Sequence, residues 1–226
     1  MPNFMQTGLL ITSALATIGG GAWAIQGEYA AFSMNVPSQA VQYDGIMSLS
    51  AMPPSITSQR DVALMCGTLL YSFYPATRGD GGQSALQQQC RKLVADSAKG
   101  NGADPLGWST LARTYGLAGD YAAMNDALMK SFATGPNEQW LSVNRFVTAE
   151  KFWAELTPET RANHETDIRL MLTSLRAIDT LVLNYLASPD FAERLVTIVQ
   201  TMPDNVQRRF VSHVRRVSQQ LTGGNS

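Results

Sequence analysis

Cys66 and Cys90 are the two cysteines of the chain. Each falls on a predicted helix, and the two helices are successive and antiparallel. In an oxidising compartment a bond between them closes the first helical hairpin, stabilising it by about 3 kcal/mol in the chain-entropy model. The competing reading is a pair of buried thiols, which pack well in helical cores. A thiol nucleophile needs a supporting histidine, and none is near either cysteine in sequence. His164 and His213 are the two histidines. No HExxH or comparable spacing places them in a ligand set, so no metal site is expected and both read as surface or capping residues. Glu150 and Glu155 flank Phe152-Trp153 on a helix. Glycoside chemistry requires two carboxylates set across a cleft, whereas a solvated helix face accounts for this pair. No serine stands in a GxSxG context. The glycine-bearing runs at 78–83 and 100–105 follow no strand, so neither reads as a phosphate loop. The chain is therefore expected to be non-catalytic, with no cofactor and no metal.

The elements that carry these residues are helical. Residues 59–73 place Val62, Leu64, Met65, Cys66, Leu69, Leu70 and Phe73 on a broad apolar face. Residues 84–99 turn Leu86, Cys90, Leu93 and Val94 inward. Asp104-Pro105, Thr157-Pro158 and Ser188-Pro189 read as helix starts, as does Pro203. A longer helix carries Trp140, Val143, Phe146, Val147, Phe152 and Trp153, and the next turns Ile168, Met171, Leu172 and Leu175 inside. Strand alternation is absent, so the fold class is all-α with antiparallel neighbours.

Residues 105–138 resemble a tetratricopeptide repeat. Trp108, Leu111, Ala112 and Tyr115 follow the W-x2-L-G-x2-Y half of that motif, with alanine in place of glycine, and Pro136 closes the unit. Met124 stands where the second helix usually has a small residue, which implies looser packing between the two helices. The resemblance implies a stack of helical hairpins whose surface receives a protein or peptide. It covers 34 residues, and the flanking helices must then act as degenerate repeats or caps.

Charge is distributed unevenly. Charged residues make up 15% of the chain, against roughly 25% in an average soluble domain. Before Arg60 the charged side chains are Glu28 and Asp44 alone. Residues 4–25 are uncharged, and about 20 residues of helix span a hydrocarbon core. Three readings compete for this stretch: a retained single-pass anchor, a signal cleaved after Ala22-Trp23-Ala24, and a buried core helix. The anchor is preferred, because a cleaved signal normally carries a positive n-region and this one has none. Thr12, Ala16, Gly20 and Ala24 recur every four residues, a small-residue face suited to packing against another membrane helix. The expected division is a transmembrane helix over 1–27, a low-charge linker over 28–58, a helical domain over 59–221 and a disordered tail over 222–226. The acidic residues after the span place the bulk of the chain on the outer side of a bacterial inner membrane, in the periplasm.

A net charge of −1 argues against a general grip on nucleic acid. Arginine outnumbers lysine 13 to 4. On the last helix Val206, Phe210, Val214, Val217 and Leu221 form an inward stripe, and Arg208, Arg209, Arg215 and Arg216 form a basic collar. The collar reads either as a solvated cap or as a contact to an acidic partner, anionic lipid or acidic glycan. In its architecture and its Trp/Arg-rich stretch 140–161, the chain looks like the membrane-anchored, repeat-containing accessory proteins of bacterial envelope systems, polysaccharide assembly among them. The function expected is that of an adaptor. A membrane protein would bind its N-terminal helix, and a protein or peptide its helical surface. The alternatives are a secreted binding protein and a helical enzyme acting on glycans.

Overall fold

The computed structural model describes residues 17, 19–22, 24–26, 28–100 and 102–223, and these are helical or in turns, with no strand among them. They divide into two compact units, Met1–Asn101 and Gly102–Ser226. The single helical domain expected over 59–221 is thus divided after residue 101.

In the first unit residues 28–34 are helical, and α1 (Gln39–Ser48), α2 (Ile56–Leu69), a 3-10 turn (Tyr74–Arg78) and α3 (Gly82–Gly100) follow. Serines start two of these helices: the hydroxyl of Ser38 accepts from Val41 N–H, and that of Ser55 from Ser58 N–H. The turn into α3 passes through Gly79 at φ 99°, a conformation that favours glycine. Ile46, Val62, Cys66, Leu69, Leu86, Cys90, Leu93 and Val94 are fully buried. The stretch expected as a low-charge linker, 28–58, holds helix, and Met34, Tyr43, Ile46 and Leu49 sink into this core. Polar groups fix it there. Gln89 of α3 donates to the carbonyls of Ile46 and Leu49, satisfying the open C-terminal end of α1. Tyr43 donates its hydroxyl to the Gly82 carbonyl.

The second unit contains α4 (Pro105–Leu117), α5 (Tyr121–Thr134), α6 (Gln139–Lys151), a 3-10 turn (Trp153–Glu155), α7 (Pro158–Thr173), α8 (Ala177–Ala187), α9 (Pro189–Gln200) and α10 (Asp204–Gly223). Asp104, Thr157 and Ser188 cap α4, α7 and α9 ahead of a proline at the first helical position. The α4–α5 hairpin turns through Gly119 at φ 77°, and Asp120 caps α5. Against expectation, this hairpin is tight. Gly116 supplies the space that Met124 takes: a Cβ at Gly116 would lie 2.8 Å from Met124 Sδ and 2.5 Å from the Phe152 ring. The small residue has moved to the facing helix.

α7 and α8 are separate helices, split at 174–176, where the Ser174 hydroxyl accepts from Ala177 N–H. Leu175 sits in that break and is 73% exposed, so its predicted inward position is corrected. The main core joins Phe146, Ile168, Met171, Leu172, Ile178, Leu181, Val182, Phe191 and Leu195. α10 closes over it with Val206, Phe210 and Val217, while Leu221 lies exposed beyond the stripe expected to include it. The helix continues to Gly223, into the expected tail.

Among the described residues no single helix is long and apolar enough to cross a membrane. α7 and α8 pass that test together only as a pair bent by 115°, and their apolar faces lie in the core just described.

Candidate functional site

The residues singled out in the sequence are dispersed. Cys66 and Cys90 are joined by a disulfide between α2 and α3, with 5.8 Å between their Cα atoms. Thr12 and Ala16 lie outside the described residues. Gly20 and Ala24 are helical, and a Cβ at Gly20 would meet nothing within 4 Å. Trp108, Leu111, Ala112 and Tyr115 lie along α4, with Leu111 and Ala112 buried in the hairpin and Trp108 and Tyr115 at its edge. Lys130 sits 4.7 Å over the Trp108 ring, while Pro136 is exposed. Of the collar arginines, Arg209 donates to the Thr173 carbonyl and Arg216 binds Asp179, so both fasten α10 to the unit. Arg208 and Arg215 face solvent.

The most connected polar chemistry lies elsewhere in the second unit, around Glu150 and Trp153. Glu150 is largely shielded from solvent, which corrects the reading of this carboxylate as part of a solvated face. Its Oε1 meets His164 Nε2 at 2.6 Å, and its Oε2 accepts from Arg194 at 2.6 Å. His164 is buried at 3% exposure, not a surface histidine. It stacks on Phe146 at 5.4 Å and leans on Trp153 at 5.9 Å. Its Nδ1 is buried without a hydrogen-bond partner. The Arg194 guanidinium lies 4.0 Å over the Trp153 ring and that of Arg161 lies 4.8 Å from it. A Phe–His–Trp–Arg ladder thus runs from core to surface, each cation–π step worth about 0.5–2 kcal/mol.

Beneath this ladder Arg145 and Asp167 form a buried, two-pronged ion pair, Nε to Oδ2 at 2.7 Å and Nη2 to Oδ1 at 2.5 Å. Arg145 also donates to the carbonyls of Ser131 and Gly135, bracing the C-terminal end of α5. Burial pushes the Asp167 carboxyl above the ordinary carboxylate range, and the bonds from Arg145 pull the other way. His213 meets Asp179 at 2.7 Å, and that bond, with Arg216, holds the Asp179 carboxyl below its usual range.

Beside Trp153 an open groove of about 630 Å³ runs between α7 and α9. Arg161, Glu165, Ile168 and Arg169 line it from α7, and Arg194, Thr197 and Ile198 from α9, with Thr201 at that helix's C-terminal cap. Both sets recur at helical spacing, so each helix gives the groove one continuous face. Trp153, Pro158 and Ala162 give it apolar surface, Ile168 and Ile198 are buried, and three arginines rim it against one lining carboxylate. Arg169 is bonded to Glu165 and to the Thr201 hydroxyl. With Glu150 bound to both His164 and Arg194, the polar groups here are arranged to hold a shape. Among the described residues no group of three or more histidine, cysteine, aspartate or glutamate side chains is placed to hold a metal ion.

No protein-family model, no curated protein and no solved structure matches the chain.

Trp153 and Glu150 stand out in the sequence by type, but the groove itself has little sequence signal. Arg161 four residues beyond Thr157, and Arg169 eight beyond Arg161, are the local signal for its α7 face. Its α9 face comes from residues remote in sequence.

Proposed function

We propose that this protein is a non-catalytic helical adaptor. In this reading the N-terminal stretch anchors it in a bacterial inner membrane, the bulk of the chain lies in the periplasm, and it serves as an accessory subunit of an envelope complex. The observation that carries the adaptor reading is the open α7–α9 groove, which sets apolar surface from Trp153, Pro158 and Ala162 beside three arginines. Such a surface suits recognition of another molecule by burial at its centre and polar contacts at its edge. Two further features support the location. A disulfide between Cys66 and Cys90 suits an oxidising compartment. The uncharged stretch 4–25 has the length of a membrane span. The tetratricopeptide-like α4–α5 hairpin, packed through Gly116, supports the helical-hairpin part of the proposal.

The test is extraction of the full chain from bacterial membranes in mild detergent, followed by pull-down and intact-mass measurement of the N-terminus. A membrane-bound chain with an unprocessed N-terminus and a stoichiometric partner is the expected result. A mature N-terminus at Ile25, or a membrane-bound chain that never brings a partner with it, would overturn the proposal.

A further inference from the structure

We infer that the α7–α9 groove is the docking site for an extended acidic–apolar peptide segment of a partner protein, whose carboxylate is taken by Arg161. This deepens the adaptor reading and rests on it.

Charge singles out Arg161. Arg169 and Arg194, the other arginines of the rim, are paired to Glu165 and Glu150. Arg161 instead donates to the backbone carbonyls of Trp153 and Ala154, and among the described residues no carboxylate is within ion-pair distance of it. Its Nε is buried with no hydrogen-bond partner. That nitrogen is out of reach of a ligand, and it is the terminal nitrogens of this carboxylate-free guanidinium, held in place against an indole ring, that the groove offers to an acid. The two bound carbonyls and the Trp153 ring fix its position, so little side-chain freedom is lost when an anion arrives.

Shape and lining favour a peptide. From Arg161 to Arg169 the groove follows two turns of helix, about 12 Å at 1.5 Å per residue. Three or four extended residues cover that distance at about 3.3–3.6 Å each. Trp153, Pro158 and Ala162 offer apolar contact toward the Arg161 end, while Ile168 and Ile198 are buried. The Thr197 hydroxyl oxygen and the second oxygen of the Glu165 carboxylate run alongside as acceptors for backbone N–H groups, while the Thr201 hydroxyl and Glu165 Oε1 already accept from Arg169. A fatty carboxylate would satisfy Arg161, but its hydrocarbon would desolvate Thr197 and the Glu165–Arg169 pair without replacing their hydrogen bonds to water. The groove lies on α7 and α9, outside the repeat-like α4–α5 hairpin.

The experiment uses the full chain in a non-ionic detergent and three probes. These are the fluorescent, photoreactive peptide acetyl-Leu-Glu-Leu-Glu-Leu-amide, its Gln-for-Glu counterpart, and octanoate as competitor. The expected result is saturable binding of the Glu peptide, about tenfold weaker binding of the Gln peptide, and cross-links on α7 and α9. Arg161→Gln, checked for native helicity and melting, should weaken the Glu peptide about tenfold and leave the Gln peptide unchanged. If that variant does not fold, the wild-type comparison and the cross-link map decide. Equal binding of the two peptides, cross-links elsewhere, a folded Arg161→Gln that binds undiminished, or octanoate bound where neither peptide binds would each overturn the inference. A partner that co-purifies equally with wild type and Arg161→Gln would sink this assignment and leave the adaptor standing. Specific peptide binding with nothing co-purified would support the groove's assignment and count against the adaptor.

Discussion

The Glu28 carboxylate accepts a hydrogen bond from the Ser58 hydroxyl at 2.5 Å, and the backbone N–H and hydroxyl of Ser55 donate to it as well. Ser55 and Ser58 stand at the start of α2. The first charged residue of the chain is thus spent on the N-terminal end of a helix, where open N–H groups and the helix dipole favour an anion. The other early charge, Asp44, pairs with Arg78 at 2.7 Å.

These bonds, that from Ser58 foremost, hold the Glu28 carboxyl below its ordinary range. A carboxylate with a depressed pKa in the folded state stabilises the fold above its unfolded-state value, and that contribution disappears as pH falls through the folded value. Glu28→Gln should therefore speed amide exchange in the first turn of α2 at neutral pH. The difference from wild type should shrink as pH drops below about 4, the ordinary carboxylate range. Equal exchange at neutral pH would show that the contact does not hold the segment.

The Cys66–Cys90 bond ties α2 to α3 through fully buried sulfurs. Replacing both cysteines with serine should cost about 2–5 kcal/mol, the usual range for losing a native disulfide in a small domain. Urea unfolding followed by amide exchange in α2 and α3 checks this. A change within about 0.5 kcal/mol, the scale of a neutral surface substitution, would contradict it.

Gly116 faces Met124 and the Phe152 ring at distances that exclude a methyl group. Gly116→Ala gains up to about 1 kcal/mol of helix propensity, but overpacking costs about 1–3 kcal/mol. Net destabilisation is expected, because Met124 is fully buried and has little room to give way. Adding Met124→Ala should recover stability in the double variant relative to Gly116→Ala alone, which a four-variant cycle of melting curves reads directly.

Asp167 balances Arg145 in the interior. Asp167→Ala leaves a buried guanidinium without its counter-charge and should cost about 3–5 kcal/mol. Replacing both, as Arg145→Met with Asp167→Leu, should cost less than either single change, since no charge is left stranded. Urea midpoints for the three variants give the answer. A double variant worse than both singles would mean that the carbonyl bonds from Arg145 to Ser131 and Gly135 outweigh the ion pair.

Helix starts were legible in the sequence because their causes are local. Asp104-Pro105, Thr157-Pro158 and Ser188-Pro189 each put a capping side chain beside a residue already fixed in φ. α1 was not legible. Tyr43 and Ile46 are buried, but Val41 and Met47 are exposed, so its apolar residues mark no single face. It is helical because α3 supplies a surface for it and Gln89 satisfies its last carbonyls, and neither fact is local. The candidate site divides in the same way. Trp153 and Glu150 stood out by type, yet Arg194 reaches Glu150 from 44 positions away, and no spacing rule links them. Met124 shows the limit of motif reading, since its bulk was visible but the compensating Gly116 lies on the opposite helix.

The order of ties along the first unit also sets how it answers a mechanical load. Tension arriving from the N-terminal side meets the Glu28 clasp first and then the Asp44–Arg78 pair, both non-covalent. Peeling can continue along α2 only as far as Cys66. From there the pull passes through the disulfide directly to Cys90, and the intervening residues carry none of it. The first unit thus sets a yielding, non-covalent catch outside an inextensible covalent loop.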